Sequence, residues 1–134
     1  MPASNYPTQP TNLPGGVKGG YFVGPEYIVP TVVSADGAIP VTPGVYSVTK
    51  GSAAALTLAA PTAGDPSAGG DDGARIIVVS ETAFAHVITC ASVGFNGKAA
   101  SGTATFAAAK GNGVTLTARN GQWWVLSNVG VTIA

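Results

Sequence analysis

From Val41 onward, apolar side chains recur at alternate positions in short runs, and Gly, Asn, Asp, Ser and Pro separate the runs. A period of two belongs to strands that turn one face toward a core. The clearest case is Gly113–Ser127, where two runs of β-formers flank Asn120-Gly121. That dipeptide accepts positive φ at both central positions of a type I′ turn, so the segment predicts a tight antiparallel hairpin. A two-residue loop fixes the register: Arg119 opposite Gln122, Ala118 opposite Trp123, Thr117 opposite Trp124, Leu116 opposite Val125 and Thr115 opposite Leu126. Val114, Leu116, Ala118, Trp123 and Val125 then share a core face. Thr115, Thr117, Trp124 and Leu126 form the opposite face, which is too apolar to meet only water and too polar for a deep interior. These four residues are the expected interface with another copy of the chain.

Other strands follow the same pattern. Val45–Thr49 and Ala54–Ala59 flank Lys50-Gly51-Ser52 and predict a second hairpin; residues 60–73 are turn formers throughout and predict a surface loop. Arg75–Ser80 carries Ile76 and Val78 on one side and Ile77 and Val79 on the other, as a strand inside a sheet or between packed layers does. Glu81–Ala85 leads to His86–Cys90 as a third expected hairpin. Gly94-Phe95-Asn96-Gly97 predicts a turn, Thr103–Ala107 a strand, and Val129–Ile133 a short closing strand. About eight short strands with no helical period predict an all-β domain over residues 44–134, an antiparallel sandwich or barrel.

Residues 1–43 have a different texture. Eight of the ten prolines fall there, with Gly15, Gly16, Gly19, Gly20 and Gly24 and only Lys18, Glu26 and Asp36 as charges. Such a stretch cannot bury enough apolar area to offset its ordering entropy alone. It reads as an extended arm that gains order on a partner, with Tyr6, Leu13, Tyr21, Phe22, Tyr27 and Ile28 as anchors.

Charge narrows the partners. Only 9% of the 134 residues are charged, and six basic side chains balance six acidic ones. Lys18, Lys50, Arg75, Lys98, Lys110 and Arg119 are scattered singly, without the clustering that phosphate binding needs, so no nucleic-acid partner is expected. No apolar run approaches the roughly 20 residues of a membrane span. Met-Pro-Ala-Ser-Asn-Tyr-Pro has neither the basic nor the apolar region of a secretory leader, so assembly in the cytoplasm is expected. Cys90 is the single cysteine, which excludes an intrachain disulfide, and its strand context predicts a small buried hydrophobe.

Candidate chemistry is sparse. His86 is the lone histidine, and Cys90 lies about 13 Å along the same strand, too far for a direct Cys-His pair. Asp65, Asp71 and Asp72 stand beside Gly, Pro or each other in turn-forming sequence, where carboxylates bond nearby amides, and their spacing is not that of an EF-hand. Gly69-Gly70-Asp71-Asp72-Gly73 precedes a strand, so no helix terminus is there to hold phosphate. Glu26 and Glu81 sit in unrelated contexts, unlike paired glycosidase carboxylates. Trp123 and Trp124 point to opposite faces and cannot form one sugar-stacking platform. Neither enzymatic activity nor a metal or other cofactor is expected.

Ile76–Thr89, Gly94-Phe95-Asn96-Gly97, Ala104-Thr105-Phe106, Gly113-Val114-Thr115-Leu116 and Asn120-Gly121-Gln122-Trp123-Trp124-Val125 together resemble a small β-domain of tailed-bacteriophage virion proteins, namely capsid decoration (cement) proteins and head fibres. The likeness covers about residues 44–133 and consists of strand and turn residues. It implies a trimeric β-domain displayed on a virion and brings no catalytic residue with it. The expected function is that of a cement protein binding the major capsid protein through its arm and strengthening the shell. The alternative is a fibre or tail-tip domain whose loops bind a host-surface receptor or glycan.

Overall fold

The structure, a computed structural model, describes residues 28–134 as an all-β sandwich. Its strands are β1 (Thr31–Val33), β2 (Gly37–Ile39), β3 (Gly44–Val48), β4 (Ala55–Leu58), β5 (Arg75–Ser80), β6 (Val87–Cys90), β7 (Gly102–Phe106), β8 (Gly113–Arg119), β9 (Gln122–Val129) and β10 (Val131–Ile133). They form two five-stranded sheets, the first ordered β1-β3-β5-β8-β9 and the second β10-β7-β6-β4-β2. Neither sheet closes into a barrel. The core between them includes Tyr46, Leu56, Ile76, Ile88, Phe106, Leu116 and Trp123.

The first six strands alternate between the sheets, so β1-β3-β5 and β2-β4-β6 are parallel sets. The sheets are therefore mixed rather than purely antiparallel, and two expected hairpins do not form. Residues 49–54 carry the chain from β3 across to β4, and residues 81–86 carry it from β5 to β6. Facing sheets stand about 10 Å apart, a gap that a connection of this length spans while still letting each strand pair with its predecessor two elements back. From β7 onward every pairing is antiparallel.

The β8–β9 hairpin has the predicted turn, with Asn120 at φ 54° and Gly121 at φ 76°. The register matches from Arg119↔Gln122 to Leu116↔Val125, then shifts at a bulge so that Thr115 faces Ser127 and not Leu126. A bulge places an extra residue on one strand, and nothing in the alternation of side chains announces it.

The domain also begins earlier than residue 44. β1 pairs with β3, β2 pairs with β4, and Ile39 lies in the core at 2% exposure. Proline richness does not prevent this, because Pro30 and Pro40 sit just outside the two strands, and both strands are sheet edges where a missing N–H costs no ladder bond.

Candidate functional site

Strand register assembles the outer face of the first sheet from residues far apart in sequence. One row across it is Val32–Ser47–Val79–Gly113–Val129; the next is Val45–Ile77–Thr115–Ser127; a third is Arg75–Thr117–Trp124. Val32 and Val129, at opposite edges, are 64% and 65% exposed, and Val45, Ile77 and Val79 are half-buried. A shallow groove of about 280 Å³ crosses this face, lined by Ile28, Pro43, Gly44, Val45, Arg75 and Ile77. Arg75 is the only charged side chain in the three rows.

The outer face of the second sheet is chemically different. Its rows are Ala38–Thr57–Thr89–Thr103 and Ala55–Val87–Thr105–Thr132. Methyl-sized groups and hydroxyls suit a surface that remains in water, whereas contiguous valine, isoleucine and tryptophan mark a surface that meets something else.

Of the residues expected at an interface, Thr115, Thr117 and Trp124 share this apolar face. Trp124 is 39% exposed; its indole lies against Gly97, where an added Cβ would be 3.3 Å from Cη2, and its Nε1 donates to the Arg119 carbonyl at 3.3 Å. Leu126 is 52% exposed but sits in the bulge, out of register with Thr115. Ile28 lines the groove at 59% exposure. Tyr6, Leu13, Tyr21, Phe22 and Tyr27 lie outside the described residues. The sequence reading missed Val32, Val45 and Val129 as members of the face. The two-sided apolar pattern of Arg75–Ser80 was the available signal, because a central strand with both sides apolar requires cover on both.

His86 is fully buried and holds two inter-sheet connections together. The Ala54 N–H donates to its Nδ1 at 3.0 Å, leaving that nitrogen without a proton. Thr82 Oγ1 donates to the Lys50 carbonyl at 2.9 Å and lies 3.0 Å from His86 Nε2, which therefore carries the hydrogen. Burial holds the imidazole pKa below its ordinary 6.5, and the nearby Lys50 charge adds to that effect. Both ring nitrogens are occupied by the fold, which leaves no free base for catalysis. Cys90 is also fully buried, and burial pushes its thiol pKa up, away from the reactive thiolate.

The aspartates serve as turn acceptors. Asp65 Oδ1 accepts from the Ser67 N–H, Asp71 Oδ2 from the Thr62 N–H, and Asp72 Oδ1 from the Asn120 N–H. Asp72 also pairs with Arg119 at 3.0 Å, tying the long loop to the hairpin turn. These bonds hold the Asp65 and Asp72 carboxyls below the usual value. Among the described residues, no three His, Cys, Asp or Glu side chains gather as a metal site requires, and no helix is long and apolar enough to cross a membrane. No protein-family model and no curated protein matches the chain.

Proposed function

We propose that the protein is a structural component of a bacteriophage virion, a capsid decoration (cement) protein that self-associates, as a trimer by its resemblance, and attaches to the major capsid protein. The observation that carries this reading is the broad, nearly uncharged outer face of the first sheet, on a molecule whose histidine, cysteine and loop aspartates are all engaged in holding the fold. A surface of that kind supports protein–protein contact, and the likeness of residues 44–133 to phage β-domains supports the virion as its setting.

The mechanism is additional buried area between neighbouring capsid subunits, without chemistry. Residues 1–43 retain their expected role as the attachment segment up to Tyr27, while residues 31–39 serve as edge strands of the sandwich. The test is binding of the purified chain to particles that lack it, read as copies bound per particle and as resistance of the decorated shell to heat. Stoichiometric decoration with a raised disruption temperature is expected; no binding at micromolar concentration rejects the reading.

A further inference from the structure

We propose that the outer face of the first sheet is where copies of this chain meet, packing against the corresponding face of a second copy. The inference deepens the proposed function by naming the partner of the apolar face, and it rests on that reading only for its setting. Breadth is the first argument. Five strands at about 4.8 Å spacing and three rows about 7 Å apart give a footprint of roughly 24 by 20 Å. An extended peptide covers the width of one or two strands and would leave the outer rows wet. A second sheet covers all three rows together, at the roughly 10 Å separation of stacked sheets. With Ile28 and Leu126 added at the margins, the area is on the scale of the about 800 Å² per partner that stable pairs bury.

Charge is the second argument. The rows contain no carboxylate, and their single cation, Arg75, is exposed at the margin. A partner bearing charges against this face would lose their hydration without gaining opposite charges in return. A second copy brings a face with the same neutrality and the same Val, Ile and Thr texture. The hydroxyl-rich face of the second sheet supplies the internal contrast, since the same molecule builds its other broad face for water.

The test is the mass of the full chain by sedimentation equilibrium, compared with Val32→Asp, Val129→Asp and Thr89→Asp. The first two place a carboxylate at exposed edge positions of the apolar face, where the fold tolerates it; the third places one on the second sheet's outer face. The expected result is an oligomeric full chain whose dissociation constant rises at least about tenfold in Val32→Asp and Val129→Asp, with an unchanged far-ultraviolet spectrum, and stays unchanged in Thr89→Asp. A monomeric full chain at micromolar concentration overturns the proposal and assigns the face to another occupant, either residues 1–27 of the same chain or a capsid protein. Equal dissociation by Thr89→Asp, or none by the first two variants, also overturns it. Failure to bind particles with the oligomer intact would instead reject the cement reading and leave this contact standing.

Discussion

His86 shows how one side chain couples segments that sequence leaves unrelated. Protonating Nδ1 would set an N–H against the Ala54 N–H that it now accepts from, so the folded state favours the neutral ring. A folded pKa below the unfolded 6.5 means that the unfolded chain binds more protons in the interval between them. The stabilisation is therefore complete above pH 6.5 and is lost as pH falls toward the folded value. The ionisable groups around the ring and its connections are Lys50, Asp36, which pairs with Lys50 at 2.6 Å, and Glu81, which accepts from Ser47. Asp36 has an ordinary pKa of 3.8, lowered by its Lys50 and Ala55 bonds, so a window from about pH 4.5 to 6.5 isolates the histidine. Urea titrations should show wild-type stability falling with acidity in that window. His86→Gln should be flat there and about 1–3 kcal/mol less stable at neutral pH through the lost buried bonds; a wild type equally stable at both ends of the window would contradict the tautomer assignment. The structural role of His86 was legible from its strand context, but its bonds were not, because Ala54 lies 32 positions away. Gly121 is a more local case. Its φ of 76° disfavours a β-branched residue, and Gly121→Val should cost at least about 1 kcal/mol, visible as a lowered melting temperature.

At the scale of elements, what could be read depended on how locally each strand found its partner. β8 and β9 are joined by a two-residue turn, so turn chemistry and alternation specified their pairing up to the bulge. β5 was recognisable as interior from its apolar residues on both sides, and it is the central strand of the first sheet. The pairings β3–β5 and β4–β6 were not legible, since a parallel partner lies a full crossover away and alternation is identical for a hairpin and for a chain that switches sheets. The candidate face inherits that limit. Its β8 and β9 half followed from the hairpin, whereas Val32, Val45 and Val79 joined it only through the parallel register. A second corner makes a prediction of its own. Gly130 turns the chain from β9 in one sheet to β10 in the other at φ 65°, and a Cβ there would lie 2.3 Å from Asn112 Oδ1. Asn112 cannot withdraw freely, because its Nδ2 donates to the Ala107 carbonyl at 2.9 Å. Gly130→Ala should destabilise the domain by about 2 kcal/mol or more in denaturant titration, combining backbone strain with a steric clash. Unchanged stability would mean that the corner relaxes at no cost.

For the whole molecule, the sandwich and the segment before it divide the proposed work. Every described strand begins at or after Thr31, so removing residues 1–27 leaves both sheets complete. The removed segment contains Tyr6, Leu13, Tyr21, Phe22 and Tyr27 and only Lys18 and Glu26 as charges. Its extended reach is up to about 3.3 Å per residue, enough to leave the domain and cross a neighbouring subunit. Attachment by such a segment would draw on apolar anchors and on backbone bonds to exposed strand edges, with affinity reduced by the entropy of ordering it. The truncated chain should therefore retain its β-type spectrum and its oligomeric mass while losing most or all binding to particles. Full-length binding should change little between low and raised salt, because screening acts on charge pairs and few are available here. Titrating undecorated particles with both chains at two salt concentrations checks each point. A truncated domain that decorates particles as well as the full chain would move attachment to the sandwich itself, and steep salt dependence would contradict an uncharged contact.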